Sequence, residues 1–174
     1  MARIVTDRLI LVASNAILAH AEINNRAEFA SILNAEIPAD WPPPLNDDDS
    51  MNWNLNFAMK NPFLEGWAMW YILLKKDDDR LEAIGNCGFK GIPDINGAVE
   101  VGYSIMESHH RKGYATEAVN ALIDWAFGHE DVKKIIAHTL PDLIASQAVL
   151  KKCGFKFVGE GLEEGAIMYE LLKQ

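Results

Sequence analysis

Cysteine is close to absent: Cys87 and Cys153 are the only two in a chain of 174 residues. They lie far apart and form no CxxC pair, so neither a disulfide framework nor a cysteine-based metal site is expected, only two reduced thiols buried as small hydrophobes. Basic residues are also scarce, 16 Lys and Arg against 25 Asp and Glu. The resulting net charge of −9 argues against general nucleic-acid binding, which needs a basic surface to displace counterions, and is compatible with a cationic or amine substrate. Long apolar runs are missing too. The opening "MARIVTDRLILVAS" is interrupted by Asp7 and Arg8, so no signal peptide is expected, and no stretch approaches the roughly 20 residues of a membrane span. The chain contains neither GxxxxGK[ST] nor GxGxxG, which removes the two commonest phosphate fingerprints. A cytoplasmic protein without a membrane or nucleic-acid partner is expected.

What is present suits one folded domain over 1–174, since hydrophobic residues make up 49% and charged residues 24%. "RLILVA" at 8–13 predicts a first strand, and apolar residues at helical spacing predict a helix over 15–34. Three consecutive prolines, Pro42 to Pro44, forbid a regular element across 37–50. Asp48 to Ser50 can cap a second helix running to Lys60. Strand-like runs at 66–76, 81–91 and 98–106, joined by the polar turns "KKDDDR" (75–80) and "PDING", predict a three-stranded antiparallel meander in which Gly85 and Gly88 hint at irregular pairing. Helical spacing resumes at 114–127, with Ala115, Ala118, Val119, Leu122 and Ala126 on one face. A strand at 133–140, a helix at 142–155 stopped by Gly154, and strands at 155–160 and 166–172 complete the order. The meander feeding a βαβ-like half implies an α/β domain with one mixed sheet and helices on its faces.

The junction "ESHHRKGYATEA" couples the end of a strand to the start of a helix. A helix start presents unpaired N–H groups and the positive end of the macrodipole, Gly113 permits a close backbone approach, and small Ala115 leaves room beside it. His109, His110, Arg111 and Lys112 add positive or titratable groups, so the stretch suits either a pyrophosphate or a solvated basic turn. Adjacent histidine side chains diverge, and no Cys or carboxylate lies at ligand spacing, so no metal is expected at His109–His110.

"VEVGYSIMESHHRKGYATEAVNALIDWAF" followed by "KKIIAHTLPDLIASQAVLKKCGF" resembles the GNAT N-acetyltransferase superfamily, most closely the ribosomal-protein and N-terminal alanine acetyltransferase branch. The resemblance implies a single GNAT-like α/β domain whose mixed, mostly antiparallel sheet carries helices on both faces. It implies acetyl-CoA as co-substrate, no metal, and a small amine or protein N-terminus as acceptor; homodimers are common among such relatives. The family motif Gln/Arg-x-x-Gly-x-Gly/Ala maps onto His110, Arg111, Lys112, Gly113, Tyr114 and Ala115, with Thr116 beside them, and the family's late-helix Ser onto Ser146. The free strand N–H offered to the thioester carbonyl falls at Ile105 or Met106. Three positions depart from the pattern: His110 replaces Gln or Arg, Leu143 replaces an Asn that touches the pantetheine arm, and Lys151 replaces a Tyr that protonates the thiolate. These departures keep a non-catalytic acyl-CoA sensor as the rival reading.

Glu100 is the candidate base, because alternation in a strand places it on one face with Gly102 and Ser104; its bland alternative is a solvated strand carboxylate. His138, Tyr103 and Tyr114 read as packing or surface residues. On the acceptor side, Trp41 could provide an apolar wall. Asp47 to Asp49 read as a cap with a solvated charge run, and Trp53, Trp67 and Trp70 as core.

Overall fold

Runs rich in branched and aromatic side chains set eight strands among the described residues: β1 (Arg3–Val5), β2 (Leu9–Ala13), β3 (Met69–Lys75), β4 (Leu81–Phe89), β5 (Ala98–Ile105), β6 (Lys134–Thr139), β7 (Lys156–Glu160) and β8 (Ile167–Leu172). The helices are α1 (Ala16–Asn24), α2 (Arg26–Leu33), α3 (Asp48–Lys60), α4 (Tyr114–Phe127) and α5 (Ile144–Lys152). This computed structural model describes every residue except Asp78 and Glu163, so the middle of the expected turn at 75–80 lies outside the described residues. The strands form one sheet in the order β1-β2-β3-β4-β5-β6-β8-β7. Every neighbouring pair is antiparallel except β5–β6, which α4 joins as a parallel crossover.

Alternation divides the side chains between two cores. On one face Leu9, Leu11, Trp70, Ile72, Ile84, Val99, Val101 and Ile135 pack against Val119, Leu122 and Ala126 of α4 and Leu150 of α5. On the other, Val12, Tyr71, Leu73 and Ala83 pack against Leu18 and Ala21 of α1 and Phe29 and Leu33 of α2. Helices therefore cover both faces, as expected. Each fully buried Leu, Ile or Val contributes about 1.5–3 kcal/mol, so α4 is fastened mainly by its apolar stripe. The irregularity expected near Gly85 is a bulge: the register shifts between Ile72 and Leu73, opposite Gly85 and Ala83. At Gly88 a Cβ would stand 2.1 Å from the carbonyl oxygen of Ala68, a close approach that only glycine allows.

Four details differ from the sequence reading. The expected helix over 15–34 breaks at Asn25, whose N–H closes α1 on Ala21 O while its side chain accepts the Glu28 N–H of α2. The apolar period runs through Asn25, but one asparagine serves both helix ends, so the axis turns there. β1 is an additional edge strand on β2. The cap of α3 is Asp47, whose carboxylate accepts from Ser50 N at 2.9 Å; it lies within the Asp47–Asp49 run read as a cap but one residue before the Asp48–Ser50 start. Trp53 stands 44% exposed and stacks on Phe57 instead of joining the core, whereas Trp67 and Trp70 are buried.

A polar network lies under the 37–47 connection. Glu22 of α1 accepts hydrogen bonds from Tyr71 Oη at 2.6 Å and from Trp41 Nε1 and Asn46 Nδ2, both at 3.1 Å. Burial raises the Glu22 carboxyl above the ordinary range, and the three hydrogen bonds oppose that shift without cancelling it. A carboxyl raised on folding stabilises fully below its unfolded value, and that contribution is lost as pH rises through the folded value. Gln at position 22 keeps one acceptor oxygen, and Tyr71 can turn its hydroxyl to meet the new amide. Melts of Glu22→Gln against wild type should therefore shift in favour of the variant as pH climbs from about 4.5 to 7.5. A pH-independent difference would contradict this account.

Candidate active site

The parallel pairing of β5 with β6 covers only Ala98, Val99 and Glu100, against Lys134, Ile135 and Ile136. Beyond Glu100 the two strands part. β5 stays on β4 from Val101 to Ile105, and β6 stays on β8 out to Thr139, so each wing of the sheet is held by its outer neighbour and a fork opens between them. Along β5, Lys90 N–H donates to Glu100 O and Met106 N–H donates to Ile84 O at 2.8 Å, so these even-numbered positions are committed toward β4. Alternation turns the N–H of Ile105 the other way, into the fork. Of the two candidates for a free strand N–H, Met106 is thus occupied and Ile105 is the one aimed at the gap.

The fork leads to the strand-to-helix loop. Arg111 and Gly113 are both left-handed, with φ of 62° and 83°, on either side of Lys112. Such alternation is the backbone pattern of anion-binding nests, and here it runs directly into the positive end of α4. Among the described residues, none of the N–H groups of residues 111 to 116 has a hydrogen-bond partner. The basic stretch is not one exposed patch. His109 is buried, and burial pushes its imidazole below the ordinary range. His110 Nε2 lies 2.7 Å from Ile105 O and pins the loop to the end of β5. Lys112 Nζ donates to Ser108 O at 2.9 Å. Arg111 and Lys112 are the exposed cations, while Tyr114, Ala115 and Thr116 form the half-buried first turn of α4.

On the sheet face opposite α4, Glu100 stands at the last paired position of the fork, its side chain 17% exposed. Its Oε1 meets Lys90 Nζ at 2.5 Å and His138 Nδ1 at 3.1 Å, while His138 Nε2 accepts from Leu162 N–H at 3.3 Å. That acceptor role places the imidazole proton on Nδ1, facing the carboxylate. Among the described residues no hydrogen bond or ion pair reaches Oε2. Beside Glu100 the space over Gly102 is open, with nothing within 4 Å of a Cβ built there. Ser104, further along the same face, hydrogen-bonds Pro44 O and so ties the proline-rich connection to this edge.

A family model described as an acetyltransferase (GNAT) domain matches residues 13–156. The chain belongs to the GNAT acetyltransferase family. YjdG of Bacillus subtilis (strain 168), described as an uncharacterized N-acetyltransferase, is 36% identical over 152 residues, covering 86% of this chain and 87% of that protein. Two solved structures share the fold. A ribosomal-protein-S5-alanine acetyltransferase from Vibrio fischeri has a TM-score of 0.65 at 20% identity and covers 99% of this chain and 97% of its own. The microcin C7 self-immunity acetyltransferase MccE, solved with acetyl-CoA and AMP, has a TM-score of 0.66 at 18% identity and covers 97% and 94%. The protein is an N-acetyltransferase of a family that uses acetyl-CoA. The unpartnered N–H groups of the loop, the left-handed pair and the uncrowded Gly113 fit the pyrophosphate of that donor.

The enzyme's remaining candidates fall at the fork or away from it. Ser146 of α5 reaches across to β5: Tyr103 Oη lies 3.0 Å from its carbonyl oxygen and 3.1 Å from its Oγ. Burial pushes the Tyr103 phenol up to about 12, so it is neutral at physiological pH. Leu143 and Lys151 are exposed. Trp41 packs against Phe29 and Tyr71 with its indole N–H on Glu22, and among the described residues no hydrogen bond or ring contact joins it to Glu100. His138 and Tyr103, expected as packing or surface residues, meet Glu100 and Ser146 respectively, and Lys90 joins Glu100 with no local sequence signal. A cross-strand look at positions 90, 100 and 138 could have found the cluster, but only with the register in hand. Both cysteines are free and buried, and no helix among the described residues is long and apolar enough to cross a membrane.

Proposed function

We propose that this N-acetyltransferase holds acetyl-CoA with its pyrophosphate on the N–H groups of 111–116 and its thioester in the β5–β6 fork, and acylates the α-amine of a protein N-terminus. The observation that carries the reading is the meeting of three features at one fork: an anion nest, a strand N–H at Ile105 turned into the gap, and a carboxylate with one free oxygen at Glu100. When bound, acetyl-CoA supplies the activated acetyl group. The chain's own residues then orient it, offer the Ile105 N–H where negative charge develops on the carbonyl oxygen, and take the amine's proton at Glu100 Oε2, directly or through water. Ser146, beside the neutral Tyr103 phenol, would offer acetyl-CoA a hydroxyl to hydrogen-bond, and the thiolate would take its proton from water, since Lys151 stands where the family has Tyr.

The acceptor class follows from the basicity of the amine itself. Oε1 of Glu100 is already engaged by Lys90 and His138, which leaves Oε2 as the oxygen for the amine's proton. An α-amine, with a reference pKa of about 7.7–8.0, asks little of it, whereas a lysine at about 10.4 asks far more. The names of relatives agree with a protein acceptor: one matching chain is a ribosomal-protein-serine acetyltransferase of Escherichia coli (strain K12), 29% identical over 94 residues. Exposed Leu143 and Lys151 favour a second reading, a sensor that binds acyl-CoA without turnover. Thiol release from acetyl-CoA, measured over a panel of peptides with free Ser or Ala N-termini, lysine peptides with blocked N-termini and small amines, separates these. Release with the free N-termini is expected; release with none of the panel, despite acetyl-CoA binding, leaves the sensor.

A further inference from the structure

The N-terminal "TDR" (6–8) lies between β1 and β2, and neither the donor site nor the acceptor site described above uses it. Its side chains nevertheless grip the anion loop. Thr6 Oγ1 donates to Glu117 Oε1 at 2.6 Å, Arg8 N–H donates to the same oxygen at 2.9 Å, and Arg8 Nε donates to Glu117 Oε2 at 2.7 Å. Arg8 Nη1 donates to Lys112 O at 2.9 Å, its Cζ stands 4.6 Å from the Tyr114 ring centroid, and its Nη2 comes within 3.4 Å of where a Gly113 Cβ would stand. One guanidinium thus meets positions 112, 113, 114 and 117 of the loop and first helical turn.

Two consequences follow for an anion at this loop. In a trans peptide the N–H points opposite to the preceding C=O, so a Lys112 carbonyl turned onto Arg8 directs the Gly113 N–H away from it, outward from the protein contact. Glu117 raises the second point. A carboxylate in the first turn of α4 suits the helix dipole but repels a phosphate seeking the same N–H groups. Burial works against the Glu117 charge, yet the hydrogen bonds from Thr6 and Arg8 outweigh it and hold the carboxyl below the ordinary range, so it is ionised at neutral pH.

We infer that Arg8 is a positioning residue for acetyl-CoA binding, which sets the Gly113 N–H through the Lys112 carbonyl and cancels the Glu117 carboxylate beside the phosphate site. The inference rests on the reading of 111–116 as the pyrophosphate loop. Calorimetry with acetyl-CoA on the full chain tests it, with thermal melts as the control for folding. Arg8→Ala should weaken binding about tenfold, the loss expected for one charge-assisted hydrogen bond. Adding Glu117→Gln to Arg8→Ala should regain part of that loss, because the uncompensated carboxylate is gone while the Gln oxygen still accepts from Thr6. A purely structural role predicts the reverse, with the double variant binding no better than Arg8→Ala; that result, or wild-type affinity in Arg8→Ala, overturns the inference. Should Arg8→Ala not fold, Arg8→Lys carries the test: it keeps the charge without the fork and should bind more weakly than wild type, and unchanged affinity overturns the inference. A wild-type chain that binds no acetyl-CoA overturns the loop reading itself.

Discussion

Gly113→Val should abolish most acetyl-CoA affinity while leaving a folded protein. Gly113 sits at φ 83° and ψ 3°, where a β-branched residue is strained, by about 1–3 kcal/mol. That cost is a fraction of the roughly 5–15 kcal/mol by which domains are stable, and the cores on the two sheet faces do not involve this residue. Relaxing the strain means rotating the peptides on either side, which turns away the N–H groups that a phosphate would use. The added Cβ itself would only touch Arg8 Nη2, at 3.4 Å, so the backbone strain carries the effect. Losing one or two charge-assisted hydrogen bonds costs about 2–4 kcal/mol, so calorimetry should show a loss of roughly 30- to 1,000-fold. Gly113→Ala, without γ-carbons, should fall between. A folded valine variant that binds acetyl-CoA as tightly as wild type would remove the loop from the donor site.

The loop was legible because its features are local: a strand pattern, a glycine and a helical pattern in direct succession. The same holds for the three-stranded meander and for the apolar stripe of α4, since periods of two and 3.6 residues are written in consecutive positions. What stayed hidden depends on register or on a single residue in two roles. Asn25 ends one helix and starts the next while the apolar spacing passes through it unbroken. Lys90, Glu100 and His138 lie on or beside three strands, and only the sheet's register brings them together. The four basic-looking residues at 109–112 do not form one exposed patch, because His109 is buried and the His110 ring is bonded to Ile105 O. Arg8, read as an interruption of the opening apolar run and as the start of the first strand, turns out to hold the loop through Lys112 O and Glu117.

Glu100→Gln should lower kcat with an α-amine acceptor by about 100-fold and leave acetyl-CoA affinity unchanged. General bases contribute about 10²- to 10⁴-fold, and about 100-fold is the low end of that range. Gln fills the same volume and keeps an oxygen for the two donors, so the change removes the proton acceptor and little else. The pH dependence separates a base from an anchor. As pH rises through the α-amine's reference value of about 7.7–8.0, more acceptor arrives already neutral, and the gap between wild type and variant should narrow. If Glu100 instead anchors the acceptor as an ammonium ion, the acceptor KM should rise and the kcat gap should not follow that titration. A variant with unchanged rate and pH profile would leave Glu100 a solvated strand carboxylate paired with Lys90. Its place in the fork makes the base role the stronger expectation: Glu100 is the last residue of β5 paired to β6, and one step along, Val101 turns into the opposite core. A carboxylate on β5 can reach both the open gap and the acceptor face only from that position or from one of its same-face neighbours, and of those Gly102 has no side chain and Ser104 is tied to Pro44.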